Sequence, residues 1–209
     1  MLDAALRPRL ARPLEALAAL LDRPGITPDR LTVAGLVLGL ASAVGAAFQL
    51  WIPALVLWLV SRVVDGLDGT LARRRAAARG EARGGTHAGG FLDIAADFVV
   101  YGATVVGVAI GAAAGGAPWW PFLLVLLAYY VNGTAFLAFS SIAERAGRRI
   151  DDGRSLSFLG GLAEATETIA VHALWLILPF WAAEIAVVWA VIVGLSATQR
   201  IVVGYRALR

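Results

Sequence analysis

Four aspartates stand where an apolar chain has little reason to carry charge. Asp65 and Asp68 lie in VVDGLDGTLARRR at 63–75, and Asp93 and Asp97 in GGFLDIAADFVVYG at 89–102. A carboxylate at mid-bilayer costs about 2.5–3.5 kcal/mol on insertion scales, so such residues are functional by default. Their spacing groups them. Asp65 and Asp68 are i,i+3 and share one helix face; Asp93 and Asp97 are i,i+4 and share another. Two neighbouring helices can therefore gather all four into one pocket. Four close negative charges repel one another and require cations. Arg62 and Arg73 can pair with two of them, but hard divalent ions do it better, since clustered carboxylate oxygens suit Mg²⁺ or Mn²⁺. Two such ions about 3.5–4 Å apart clamp a phosphate and stabilise both the attacking and the leaving oxygen of a displacement. Gly66 and Gly69 strip side chains from the same helix, so a bulky group can approach its backbone. The bland alternative is a buried Asp–Arg network without chemistry.

The elements that must position these acids are membrane helices. The chain has 209 residues, 59% of them hydrophobic, a mean hydropathy of +0.76, and its apolar residues fall in long blocks. That composition points to an all-α polytopic membrane protein. Six segments of about 20 residues match a bilayer core of about 30 Å: 31–49, 53–75, 90–113, 119–143, 157–178 and 182–203. Asp29 or Thr27 can cap the first, in which Gly35 and Gly39 form a small-xxx-small pair suited to close packing. Before them, Leu2, Leu6, Leu10, Leu14, Leu17 and Leu21 recur at helical spacing in a segment, 1–25, that reads as an amphipathic surface helix and not as a signal peptide. Pro8 and Pro13 are expected to break that helix or mark its start. The remaining 26–209 reads as one membrane domain.

Arginine supplies all the basic charge, and its distribution sets orientation. Arg73, Arg74, Arg75, Arg79 and Arg83, then Arg145, Arg148, Arg149 and Arg154, then Arg200, Arg206 and Arg209 mark one side of the membrane; the opposite turns carry Trp and Pro. The positive-inside rule puts both termini and both basic loops in the cytoplasm, with the acidic pocket opening there. The pI near 9.9 thus reflects topology and headgroup contact with membrane lipids, not nucleic acid. The absence of cysteine excludes disulfides and thiolate metal sites.

The run Asp65-x-x-Asp68-Gly69-x-x-Ala72-Arg73, followed by Gly89-x-x-x-Asp93-x-x-x-Asp97, resembles the signature of the CDP-alcohol phosphatidyltransferases. All eight fixed positions are present, and TPDRLT at 27–32 is also similar to the family. The resemblance runs from about Thr27 onward and implies six membrane helices, a homodimer, and a bacterial cytoplasmic (inner) membrane location. It implies that Asp65, Asp68 and Asp93 bind two Mg²⁺ or Mn²⁺ ions, and that Asp97 shares them and serves as general base. Gly69 and Arg73 would contact the CDP group, with Thr86, Asp29, Arg30, Leu31 and Thr32 as further substrate contacts. The implied reaction passes a substituted phosphate from a CDP-linked donor, CDP-diacylglycerol first, to the hydroxyl of a polar alcohol and releases CMP. A CDP-linked alcohol reacting with diacylglycerol is the runner-up. The chain departs from the family between Arg73 and Gly89, where fifteen residues stand, more than usual, and read as a loop insertion.

Further polar residues are candidates for the acceptor. Glu164, Thr168 and His172 fall at i,i+4 spacing in the fifth segment; they can line an acceptor pocket or simply bond to Asn132 or Arg62. Arg148, Arg149 and Arg154 follow the fourth segment on the side where a phosphate-bearing alcohol would arrive, and arginine suits bidentate phosphate binding. Positive-inside charge explains them equally well. A divalent-cation transporter also carries intramembrane acids, but usually near mid-bilayer between repeats. Here the acids cluster toward one side.

Overall fold

Thr27 sets the start of the first apolar helix. Its Oγ1 accepts the backbone N–H of Arg30 at 3.2 Å, and Pro28 follows at the position where a missing N–H costs nothing. The computed structural model describes residues 2–81, 84–146 and 163–209, with side chains from 11 onward. Its regular structure is helical throughout: α1 (Leu2–Leu21), α2 (Pro28–Ala47), α3 (Trp51–Ala78), α4 (His87–Ala114), α5 (Trp120–Arg145), α6 (Ala165–Ile177) and α7 (Ala182–Leu208), the last entered through a 3₁₀ turn at Pro179–Trp181. Among the described residues α2, α4, α5 and the stretch Pro179–Leu208 are long and apolar enough to cross a membrane. The chain is a multi-pass membrane protein.

The differences from the expected spans have local causes. α1 runs unbroken through Pro8 and Pro13. Each proline forfeits one backbone hydrogen bond, and docking of α1 on α3 and α6 offsets that loss; Ala18 is fully buried and Leu14 lies against Gly66. α4 starts at His87 instead of Gly90 because Thr86 caps it, its Oγ1 accepting the Gly89 N–H at 3.0 Å. The expected loop insertion is helical at both ends, over 74–78 and 87–88. α3 continues to Ala78 and α4 begins at His87, so only 79–86 connects them. α3 has the length to span but carries Arg62, Asp65 and Asp68 in its apolar part. α6 contributes thirteen residues, and the expected start of its segment at Ser157 lies outside the described residues.

α2 packs against both α3 and α4 by way of small residues, as membrane helices do where no hydrophobic effect drives them together. A Cβ at Gly35 would stand 3.4 Å from Ser61 O, and one at Gly39 2.5 Å from Val100 Cγ1. From the other side Gly107 and Gly111 approach so closely that a Cβ would overlap the carbonyl oxygens of Ala43 and Ala46. This crossing holds the first third of α4 beside the last half of α3. α5 and α7 form a second pair, and Trp58, Phe122, Trp175 and Trp189 fill the space between the groups. Asp22 joins the end of α1 to the end of α3: Arg75 Nε donates to it at 2.9 Å and Arg74 Nε at 3.1 Å. The hydrogen bond from Arg75, with Arg74 beside it, holds the Asp22 carboxyl below the usual carboxylate range.

Candidate metal and phosphate site

α3 brings Asp65 and Asp68, and α4 brings Asp93 and Asp97, to one place beneath the connection 79–86. Asp65, Asp68 and Asp93 each present an oxygen within 4.8 Å of the other two. An octahedral ion with bonds of about 2.0–2.1 Å holds opposite oxygens about 4 Å apart, so small side-chain movements close this set around a hard divalent cation. The donors fit such an ion in charge, in hardness and in spacing.

Asp68 is the best held of the three. It is 6% exposed, and its two oxygens accept hydrogen bonds from the Thr32 hydroxyl and the Gly69 N–H. The Thr32 hydroxyl lies between Asp68 Oδ2 and Pro28 O, the latter at 3.2 Å. Thr32 is therefore buried behind a carboxylate, where it orients a metal-type ligand. The TPDRLT stretch contributes in a second way. Asp29 and Thr86 meet at Gly89, where a Cβ would come 3.1 Å from Asp29 Oδ1 and 3.3 Å from Thr86 Oγ1. Asp29, distant in sequence, is thus brought to Thr86 and Gly89 at the start of α4. Arg30 is exposed and donates to Gly25 O, and Leu31 is half-buried.

Asp97 is held differently. Arg62 Nη1 donates to its Oδ1 at 2.6 Å and stands 3.7 Å from Asp65 Oδ2. The guanidinium packs in the corner formed by two rings, Trp58 and Tyr101, each 5.2 Å from it. The sequence reading offered Arg62 as a counter-ion but missed these rings. The signal was there: Trp58 is four residues before Arg62 on α3, and Tyr101 four after Asp97 on α4, so each ring shares a stripe with the charge it serves.

Gly66 and Gly69 do not leave the open helix face anticipated for them. Leu14 of α1 covers Gly66, and a Cβ at Gly66 would meet it at 3.6 Å. The Arg73 guanidinium runs along Gly69, 3.2 Å from where a Cβ would stand, and its Nη2 donates to Thr70 Oγ1 at 3.2 Å. Gly69 thus makes room for the arginine of its own motif. The connection passes so close to Arg73 that a Cβ at Gly84 would fall 2.6 Å from its Cα.

Of the acceptor candidates, Glu164, Thr168 and His172 fall on successive turns at the start of α6. Glu164 is the N-cap residue of α6 and precedes the helix instead of lying inside it, and the Thr168 hydroxyl turns back onto the Glu164 carbonyl at 2.9 Å. His172 is fully buried, stacked on Trp58 with its Nε2 2.8 Å from the Tyr129 hydroxyl. Asn132 pairs with Arg200, not with this stripe, at 3.1 Å. Arg148, Arg149 and Arg154 lie outside the described residues.

Residues 25–196 match the family described as CDP-alcohol phosphatidyltransferase. The chain is 38% identical to the inner membrane protein YnjF of Escherichia coli, over 100% of this chain and 98% of the relative. It is 33% identical to the archaetidylinositol phosphate synthase of Pyrococcus horikoshii, over 69% of this chain and 77% of that one. Its fold is similar to that of the Mycobacterium tuberculosis phosphatidylinositol phosphate synthase solved with CDP-DAG bound, with a TM-score of 0.73 and 22% identity over 93% and 94% of the two chains. The same enzyme solved with manganese and citrate matches with a TM-score of 0.72 and 21% identity over 92% of this chain and 88% of that chain.

Proposed function

This chain belongs to the CDP-alcohol phosphatidyltransferase family, and from that premise we propose that it transfers a phosphatidyl group from CDP-diacylglycerol to the hydroxyl of a polar alcohol, releasing CMP. The observation that carries the reading is the convergence of Asp65, Asp68 and Asp93 beside Gly69 and Arg73 of the same motif. Asp65, Asp68 and Asp93 would hold divalent ions, Mg²⁺ or Mn²⁺, two per site with Asp97 sharing the second. Bound there, such ions neutralise the pyrophosphate and polarise the reacting phosphorus. Arg73 and Gly69 receive the CDP group, with Thr86 and Asp29 at the neighbouring start of α4. The alcohol oxygen forms a bond to the phosphatidyl phosphorus, the bond from that phosphorus to the CMP oxygen breaks, and CMP leaves with the electron pair. The hydroxyl proton passes to Asp97. Thr32 keeps Asp68 oriented throughout. An inositol phosphate is the first acceptor to test, given the names of the relatives.

Purified protein in detergent should release CMP from CDP-diacylglycerol only with an alcohol acceptor and a divalent ion present. EDTA should remove the activity and Mn²⁺ or Mg²⁺ restore it. Release from a soluble CDP-alcohol with diacylglycerol instead would reverse the donor assignment. Absence of CMP from both donors, with all acceptors, would refute the reading.

The same reading puts six crossings in the cytoplasmic membrane, with 1–25 on its surface and the pocket of the 26–209 domain facing the cytoplasm, in a homodimer that light scattering can size. Arginine placement supports the orientation. Ala78→Cys and Ala114→Cys sit at the far ends of α3 and α4. A membrane-impermeant thiol reagent added to intact cells should label the second and spare the first; labelling of both would sink the topology.

A further inference from the structure

The reaction uses four carboxylates and leaves Arg62 without a part. Its side chain is 5% exposed, and burying a guanidinium is costly unless its geometry is good. Here the geometry is closely specified. Nη1 holds Asp97 Oδ1, and Nη2 lies 3.0 Å from Ser61 Oγ, which itself donates to Gly35 O at 2.7 Å. The two rings beside it, set edge to face, are anchored in turn. Trp58 Nε1 donates to Ile169 O at 3.2 Å, and its ring stacks on His172 with centroids 4.8 Å apart. Tyr101 meets both of those rings edge-on, at 5.8 and 5.5 Å. Asp97 and Ser61 on its nitrogens, with Trp58 and Tyr101 packed against it, together clamp the guanidinium in one place. Mere charge balance would need no such clamp. Its effect is to divide the acids: Asp65, Asp68 and Asp93 gather as ion ligands, while Asp97 is tied by one oxygen to a fixed cation.

We propose that Arg62 is the positioning residue for Asp97: held by Ser61 and packed against Trp58 and Tyr101, it fixes Oδ1 and so sets the direction from which the carboxylate reaches the acceptor hydroxyl. The inference rests on the transferase reading above. It carries a second consequence, because the same positive charge lies 3.7 Å from Asp65 and opposes the loading of divalent ions on the adjacent carboxylates. Removing Arg62 should therefore change binding and turnover in opposite directions. A residue with a structural role alone would lower both.

The test is Arg62→Gln and Arg62→Lys, with Mn²⁺ binding followed by the EPR signal of the free ion and turnover by CMP release at saturating Mn²⁺. Arg62→Gln should tighten Mn²⁺ by about 10-fold, since a charge a few ångströms away is lost from a weakly screened site. It should lower kcat by about 10²-fold, as misplacement of a reacting group does, with the donor KM within about 3-fold of wild type. Arg62→Lys keeps the charge without the planar fork, so its Mn²⁺ affinity should stay near wild type while kcat remains about 10-fold low. Unchanged or weaker Mn²⁺ binding in Arg62→Gln, or wild-type kcat in either variant, overturns the proposal. If Arg62→Gln does not fold, Arg62→Lys decides by the same kcat criterion. Wild-type protein that binds no Mn²⁺ or releases no CMP refutes the transferase reading instead.

Discussion

Asp68→Asn should abolish measurable CMP release and weaken Mn²⁺ binding by about 10²-fold or more, while the protein still folds. The magnitude follows from position. Loss of a residue that merely supports a metal ligand typically costs 10–100-fold in affinity, and Asp68 is one of the three residues whose oxygens converge. The fold survives because the amide fits the same space: its oxygen accepts the Gly69 N–H, its NH₂ faces Thr32 Oγ1, and the Thr32 hydroxyl turns to Pro28 O, already 3.2 Å away. Donor affinity should fall together with metal affinity, because the proposed function binds the pyrophosphate through the ions. Mn²⁺ titration and donor KM on the same preparation check this. An Asp68→Asn protein with wild-type Mn²⁺ affinity would remove Asp68 from the ligand set.

Asp97→Asn should separate binding from chemistry. Asp65, Asp68 and Asp93 gather without Asp97, so much of the metal binding and the donor KM should survive. The amide oxygen of the replacement can still accept from Arg62 Nη1, so Arg62 keeps its place against Trp58 and Tyr101. What disappears on the proposed reading is the group that takes the acceptor proton, and kcat should fall by about 10²-fold or more, the usual contribution of a general base. Single-turnover and steady-state CMP release at saturating Mg²⁺ measure it. Turnover near the wild-type rate would mean that the base lies elsewhere, with Glu164 the next residue to replace.

Much of this protein is readable in one dimension because the bilayer leaves a chain few options. Within lipid every backbone group must be satisfied inside its own segment, so a long apolar run is a helix before anything else is known. A charge inside such a run is costly enough to announce a site. Asp65, Asp68, Asp93 and Asp97 are therefore legible as one group of acids, and their identities suit divalent ions. Gly35 and Gly39 were legible as a packing face for the same reason, since small residues let membrane helices approach.

The sequence by itself determined the helical class, the membrane setting, the pairing of the acids on two consecutive helices and the kind of ion they suit. Tertiary structure alone decided how those acids divide. The depth at which α3 meets α4 is set by contacts with other helices: Gly107 and Gly111 against the carbonyls of Ala43 and Ala46 on α2, Thr32 on Asp68, His172 behind Trp58. It also decided that α1 passes its two prolines unbroken, that Leu14 covers Gly66, and that Arg73 fills the space beside Gly69. Spacing along a helix states which residues share a face, and it states nothing about what another helix brings to that face. Contacts such as Arg62 to Asp97 or Thr32 to Asp68 join residues 35 and 36 positions apart, and they exist only once close packing has fixed where each helix lies.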